Sequence, residues 1–593
     1  MRVSGAELLT SVLASAGVKY VVGIPGHTVF SFANAVPGQP ELTPILVRNE
    51  AAASFAADVY FRLTGNMMAV FAHSIPGAAN AASGIANAYA DSSAMLVITG
   101  QTAIDALGRG AYQELSRQFD GDTAQWMRHI SKRVWQPRNP NQLVEHALRA
   151  IKVARSGRPG PVVLDVFQDV WDMEVDVASL PDVRGFLIDD RTRPTEESVS
   201  AAAELLANAQ RPLIVAGNGV NLSRAQAELL ALAESEGIPV ATTVSGKGAF
   251  PEDHALSLGI VGWVGTAAAN DVARRADVVL SIGCRLGEST TSSWQAGATF
   301  DFTTTKLIQS DIDVHEVATV FPVDVALIGD ARLVLRDVTN AGGQPRNRDA
   351  WVAEVAGAKE RWDAIVEESA RDDRTPITVG RVVRELDLAR GEEPVNIVGD
   401  IGKHHKWVAQ QFVARAGDAV ISSMGAGTMG IGPAGALGAA LADNGARTIA
   451  WTGDGGMSMA SYVLPTAAEY RLPITFLVID DGAFGAVANI QMKRYGRTVF
   501  SEFTGSGTNP DYRLDLAAVA AASGVPSRRI VNPAEIRPGL HWAFAQDGPV
   551  LLDIIVDRAS NAPEGGGSKL TDIWNHPVQA WARRPLPTTN EAR

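Results

Sequence analysis

The sequence predicts an α/β protein of three doubly wound parallel-sheet domains, and three observations carry that expectation. Apolar runs of strand length, among them YVVG, MMAVFA, AMLVITG, PLIVAG, DVVLSIG, VNIVG and ITFLVI, recur along the chain and alternate with longer stretches of helical period. Most of these runs end in Gly- or Pro-bearing turns, which is the strand–turn–helix–strand plan of a parallel sheet. At 593 residues the chain is too long for one ordinary core, and units of roughly 150–200 residues give three.

The first unit, residues 1–180, opens with SGAELLTSVLASAG, a helix with a Ser cap and a terminal Gly, followed by the strand YVVGIPG and its turn at Pro25-Gly26. ELTPILVRNE reads as a strand ending in Glu50, AAASFAADVYFRLTG as a helix, and the segment to Gly100 repeats the plan. GRPGPVVLDVFQDVWD closes the unit and leads into a Pro- and charge-bearing linker near residues 181–196. The middle unit, residues 190–340, sets PLIVAGNGV, IPVATTVSGKG, DVVLSIGCRLG and KLIQSDIDV as strands between helices. A second linker, AGGQPRNRDA, precedes a charged helix, and the last unit spans residues 376–558. The remaining tail, 559–593, carries Gly, Pro, Trp574 and Trp581 without a strong period, and reads either as a disordered end or as an active-site flap.

Composition narrows the function. A hydrophobic content of 46% with 20% charged residues describes a globular protein, and the formal net charge of −13 argues against general nucleic-acid binding and against adhesion to anionic membranes. No apolar run is long enough to span a membrane, and the N-terminal stretch, interrupted by Glu7 and Lys19, reads as an amphipathic helix and not a signal peptide. The single cysteine, Cys284, excludes an intrachain disulfide and multi-cysteine metal sites, reads as a buried structural thiol, and points to a reducing, cytoplasmic setting.

The chemistry concentrates between Ile449 and Gln491. One apolar run ends in Gly453-Asp454-Gly455-Gly456 and the next, ITFLVI, in Asp480-Asp481-Gly482, with a helical segment to about Tyr470 between them. Both turns fall at the same edge of a parallel sheet, where open α/β folds bind ligands. Asp454 and Asp481 then face one another, able to hold a hard cation while backbone N–H groups receive phosphate oxygens.

This arrangement resembles the thiamin-diphosphate motif, a GDG followed at fixed spacing by an amide or acid pair and a glycine. The resemblance implies Mg²⁺ held by Asp454, Asp481 and the residue at Ala483, with Gly453, Gly455 and Gly456 around the diphosphate. This chain has Asp480-Asp481 where the family usually has two Asn, which adds a negative charge beside an anionic group. RNEAAASFAADVYFRLTG resembles the segment whose Glu, here Glu50, exchanges a proton with the cofactor aminopyrimidine. In these families that Glu comes from a second subunit, implying a homodimer or tetramer with active sites between chains. SSMGAGTMGIGPAGALG resembles the family's Gly-rich segment, with Met429 as the wedge that bends the cofactor and Gly427 supplying a carbonyl. GDIGKHHKW resembles the acetolactate synthase Gly-Gln-His pattern, placing Gly402, Lys403 and His404 near the phosphates, with Lys403 in place of Gln.

His27 and His73 fall where aryl-keto-acid decarboxylases such as benzoylformate decarboxylase place a Ser and a His, whereas Gln113 lies in AYQEL, similar to an acetolactate synthase segment. All three are expected to face the substrate as catalytic residues, with His27 and His73 both exchanging protons with it. The middle unit is similar to the flavin-holding domain of acetolactate synthases around Gly265-Thr266, Arg285, Asp311 and Asp313, but departs from it in LGEST after Arg285, so FAD, ADP or an empty domain stay open. The resemblance covers the chain to about residue 558. It implies a thiamin-diphosphate- and Mg²⁺-dependent enzyme cleaving or forming a C–C bond beside a carbonyl, foremost an acetolactate-synthase-like carboligation or decarboxylation of a 2-keto acid. The alternatives are a lyase or hydrolase acting on a 2-hydroxyacyl-CoA or cyclic diketone, an FAD-dependent oxidase, and a catalytically silent regulatory homologue.

Overall fold

The computed structural model describes residues 1–114, 122–187, 191–342, 347–503 and 512–567. Trp574 and Trp581 of the expected flap lie outside them. Three six-stranded parallel sheets follow one another along the chain, and a short antiparallel ribbon pairs Arg2–Ser4 with Glu174–Asp176.

The first sheet runs in the order Thr43–Leu46, Tyr20–Gly23, Ala69–Ala72, Leu96–Gln101, Val162–Phe167, Arg133–Trp135. The middle sheet runs Ser257–Ile260, Val240–Thr242, Pro212–Ala216, Val278–Ile282, Lys306–Asp311, Val325–Ile328. In the last sheet the order is Ala419–Ser422, Val395–Gly399, Arg447–Gly453, Ile474–Asp480, Val550–Ile555, Ser527–Ile530. Each order starts in the interior and reverses direction after the strands on its first side, the first and last sheets turning back once more at the far edge, so each sheet has a switch point where loops from adjacent strands part and leave a crevice. The interior strands are buried on both faces, which is why they read as continuous apolar runs.

Local signals explain most boundaries. Ser4 caps helix Gly5–Ser15 in a reciprocal box with Glu7. Asn49 caps helix Glu50–Thr64 by accepting from the Ala51 N–H at 2.9 Å, and Gly65, at φ +73°, ends it. Two expectations change here. The strand read as ending in Glu50 stops at Leu46, and Glu50 is the first residue of the following helix, because the Asn49 cap starts helical hydrogen bonding there. The helix read from the Gly-rich turn to Tyr470 is two helices, Asp454–Ala460 and Val463–Glu469, separated at Ser461-Tyr462.

The first and last domains share one core. Helix Ile431–Leu441 lies on helix Glu50–Thr64, and glycines let them approach: a Cβ on Gly438 would meet the Ala56 carbonyl at 1.9 Å, and one on Gly435 would meet Val59 at 2.5 Å. Since Gly438 pairs with Ala56 and Gly435 with Val59, the helices run antiparallel. Beyond Thr64 the first helix reaches the middle domain, where Arg224 donates to the Leu63 carbonyl at 2.6 Å. Cys284 is buried beside the middle sheet, and burial pushes its thiol up, as a structural cysteine requires. Among the described residues no helix is long and apolar enough to cross a membrane.

Candidate active site

Strands Val395–Gly399, Arg447–Gly453 and Ile474–Asp480 end at one edge of the last sheet and deliver the expected residues together. Gly453 precedes helix Asp454–Ala460, so Asp454 is the first helical residue. The glycines are required by close approach. A Cβ on Gly453 would lie 3.0 Å from the His404 ring, one on Gly455 2.8 Å from the Phe484 ring and 3.4 Å from Met429 Cε, and one on Gly456 2.0 Å from Asp400 Oδ2. His404, Phe484, Met429 and Asp400 therefore surround the Gly453–Gly456 turn. On the neighbouring turn a Cβ on Gly485 would meet Asp481 Oδ2 at 2.1 Å.

The electrostatics of this edge call for a cation. Burial, with the carboxylates of Asp480 and Asp481 nearby, holds Asp454 well above the ordinary carboxylate range. Burial likewise raises Asp481 to about 6, against the opposing pull of Lys403. Lys403 is itself lowered by burial, with the Asp481 carboxylate opposing, and its Nζ donates to the Arg558 carbonyl at 2.5 Å. Burial drives His404 down to about 3, so its ring is neutral, and its buried Nε2 has no hydrogen-bond partner. A buried polar atom left unpaired at a Gly-lined turn is a place for a polar ligand atom.

Asp400, which the sequence reading did not single out although GDIGKHHKW contains it, sits at the centre of this edge. It is fully buried, accepts from the Gly430 N–H at 2.8 and 3.0 Å and from the Thr452 hydroxyl at 3.0 Å, and burial raises it to about 6. It thereby fixes the start of helix Ile431–Leu441 and the segment before it, which carries Gly427, at φ +64°, and Met429. That segment is also gripped by the first domain. Arg62 donates to the Ser422 carbonyl at 2.8 Å, the Gly425 N–H donates to Asp91 at 2.9 Å, and Thr428 Oγ1 bonds Asn87 at 2.5 Å.

A second cluster lies at the edge of the first sheet. The His27 and His73 rings are 4.6 Å apart, and Tyr112 stacks beyond His27 at 6.2 Å. His73 Nδ1 is 2.8 Å from Thr28 Oγ1 and His73 Nε2 2.6 Å from Gln113 Oε1, so both ring nitrogens are taken by protein partners. Burial and the neighbouring His73 lower His27. Glu50, 6% exposed, accepts from Asn80 Nδ2 at 3.0 Å, and its Oε1 would lie 2.8 Å from a Cβ on Gly77, in the first turn of the helix that follows His73.

The two clusters do not meet within one chain. Because the helix pair is antiparallel, Glu50 stands at the opposite end from Arg62 and the Met429 segment, about 18 Å away at 1.5 Å per helical residue.

The middle domain contains a cavity of about 1030 Å³ at its switch point, lined by Gly217, Gly219, Gly283, Arg285, Asp311 and Asp330 among others. This is at the upper end of the roughly 300–1,000 Å³ usual for ligand sites. A Cβ on Gly217 would lie 2.1 Å from the Gly283 carbonyl, so the first turn stays close against the next strand.

Comparison with known families bears on all three domains. Residues 3–120 match the model of the N-terminal TPP binding domain of thiamine pyrophosphate enzymes, residues 199–338 the central domain, and residues 400–554 the C-terminal TPP binding domain. The chain belongs to the thiamine pyrophosphate enzyme family. A probable acetolactate synthase large subunit from Methanocaldococcus jannaschii is 35% identical over 582 residues, covering 96% of this chain and 95% of its own. The acetolactate synthase large subunit of Corynebacterium glutamicum is 31% identical, covering 96% and 90%. The mitochondrial acetolactate synthase catalytic subunit of Aspergillus candidus is 29% identical, covering 94% and 81%. The protein is thus a thiamine-pyrophosphate-dependent enzyme, and the catalytically silent alternative falls away.

The residues present fit that cofactor. The His404 ring lies against the Gly453 turn by its Cε1–Nδ1 edge and keeps a buried, unpaired Nε2, the Gly455 position leaves a space bounded by Met429 and Phe484, and the carboxylates of Asp454 and Asp481 offer oxygen ligands. Among the described residues no group of three or more His, Cys, Asp or Glu side chains forms a metal cage. Mg²⁺ does not need one, since it commonly takes one or two carboxylates and completes its shell with phosphate oxygens and water.

Proposed function

We propose that this enzyme joins or cleaves a C–C bond beside the carbonyl of a 2-keto acid, in the manner of an acetolactate synthase. The observation that carries the proposal is the similarity to acetolactate synthase large subunits over nearly the full length of both chains, and the gathering of Asp454, Asp481, Lys403, His404 and Met429 at one sheet edge supports it. Thiamine pyrophosphate, when bound, supplies the nucleophilic carbon and the electron sink for this chemistry.

The chain's own groups divide the remaining work. Asp454, Asp481 and the Ala483 carbonyl hold Mg²⁺, while Gly402, Lys403, His404 and the backbone N–H groups of Gly455 and Gly456 receive the diphosphate. Gly453 keeps its turn open to the His404 ring. Met429 would pack against the cofactor rings, and the Gly427 carbonyl would be available to the exocyclic amine. Glu50 would hold the proton exchanged with the pyrimidine ring of a cofactor held by a neighbouring chain, a reading that the intrachain separation supports. Support for a second copy also comes from surface apolar groups near both clusters, with Tyr112 81% and Phe500 fully exposed. His27, with its ring less engaged than that of His73, is the group that exchanges protons with substrate. His73 and Gln113 position it and shape the pocket.

The middle cavity is large enough for FAD, and the Gly217–Gly219 turn and Arg285 would be the groups to hold its diphosphate. The test is a panel of 2-keto acids, acyl-CoAs and cyclic diketones given to the purified enzyme, with products and trapped cofactor adducts identified by mass spectrometry and the released flavin measured after denaturation. Carboligation products from 2-keto acids support the proposal. Turnover confined to acyl-CoAs or cyclic diketones would replace it with the lyase reading.

A further inference from the structure

Strand Ile474–Asp480 delivers two consecutive carboxylates to an edge where Asp454 already stands, and their surroundings differ. Asp481 packs against Gly485 and faces the charge of Lys403. Asp480 is 2% exposed and its carboxyl group meets that of Asp454; Oδ1 also accepts from the Gly482 N–H at 3.0 Å and from Arg513 at 2.8 Å, and Oδ2 lies 3.4 Å from Arg513 Nε. This is a fork-to-carboxylate pairing, with the guanidinium reaching in from the surface to the side of Asp480. The other nearby arginine is committed. Arg529 donates to Asp553 at 2.8 and 2.9 Å and to Asp515 at 3.1 Å. Arg513 is thus the cation whose charge is directed at Asp480.

We propose that Arg513 is a positioning residue of the cofactor site, neutralising Asp480 so that an anionic diphosphate can be held beside three carboxylates. The proposal rests on the thiamine pyrophosphate reading of this edge. Without the guanidinium, Asp480 presents an uncompensated negative charge to the metal and diphosphate site. A cation gains from that charge and the diphosphate loses by it, so the two ligands respond with opposite sign. A loss of packing would weaken both alike.

The test is calorimetric titration of the full-length, cofactor-free protein with Mg²⁺ alone and with thiamine pyrophosphate at saturating Mg²⁺. Arg513→Met weakens thiamine pyrophosphate by about tenfold or more while Mg²⁺ alone binds as well as in wild type or better. Arg513→Lys, which keeps the charge but loses the fork, falls between wild type and Arg513→Met. In an Asp480→Asn background, Arg513→Met changes little, because the charge it answers is gone. If Arg513→Met lowers the melting temperature, the comparison of Asp480→Asn with Asp480→Asn/Arg513→Met decides alone: equal affinities support the proposal, and a tenfold loss in the double variant overturns it. Parallel loss of Mg²⁺ and thiamine pyrophosphate in Arg513→Met, or affinities equal to wild type for both, also overturns it. Failure of the wild-type protein to bind thiamine pyrophosphate at all strikes at the cofactor reading itself, an outcome distinct from the others.

Discussion

Replacing Asp481 by Asn is expected to stabilise the cofactor-free protein, and to do so only where the aspartate is charged. Burial raises Asp481 from the ordinary 3.8 to about 6. A carboxyl whose folded value lies above its unfolded value favours folding when protonated. Its contribution is full below about pH 4 and is lost as pH rises through about 6. At about 1.4 kcal/mol per pH unit the charged form costs the fold at most about 3 kcal/mol. The side chain is partly open to solvent, so about half that figure survives screening. For domains of this size that corresponds to a rise in melting temperature of about 3–6 °C at pH 8, shrinking toward nothing near pH 4. Thermal melts of the metal-free wild type and of Asp481→Asn at pH 5 and pH 8 read this directly. Saturating Mg²⁺ should erase the gap by stabilising the wild type, since the metal takes the place of the proton. A wild type at least as stable as the variant at pH 8, or an equal gap at both pH values, would refute the reasoning.

Glu50→Gln should keep the fold and cofactor affinity while lowering turnover by about 10²-fold or more, as removal of a positioned acid/base group does; steady-state kinetics beside calorimetry checks both halves. Asp454→Ala should abolish Mg²⁺-dependent retention of thiamine pyrophosphate on gel filtration, and unchanged retention removes Asp454 from the metal shell. Mg²⁺ binding should release protons near neutral pH, because Asp454 and Asp481 are held above the ordinary range, and affinity should rise with pH. Calorimetry in buffers of different ionisation heats counts those protons. His27→Ala should lower turnover with melting unchanged. His73→Ala should lower the melting temperature as well, since it strands Thr28 and Gln113, and equal melts for the two variants would contradict the hydrogen-bond arrangement.

What could be read from sequence was what is local. The apolar runs marked the strands because both faces of every sheet are covered, and the GDGG and DDG turns stood out because each is contiguous and their spacing is fixed by one strand–helix–strand unit. The helix beginning at Glu50 had a readable signal in Asn49, yet the apolar run before it suggested a longer strand. Asp400 escaped notice because its partners, Gly430 and Thr452, lie 30 and 52 residues away, and a turn aspartate carries no mark of such a role. The same is true of Arg513, 33 residues from Asp480. His27 and His73 were found as a pair, but their inequality was not, for it rests on Thr28 and Gln113 closing around one ring only.

The helix Glu50–Thr64 has a consequence that reaches beyond its packing. It is a stiff rod, buried along nearly its whole length, with Glu50, the carboxylate proposed to exchange a proton, at one tip and, at the other, the arginine that grips the segment carrying Gly427 and Met429. If its Glu50 tip serves a neighbouring chain, as proposed, the two tips belong to different reaction centres. A shift of even a fraction of an ångström where one centre accepts its ligand is then delivered, without loss in a compliant loop, to the scaffold of the other. Two centres linked by such levers sense each other's occupancy, and the rod makes that conversation a property of the backbone.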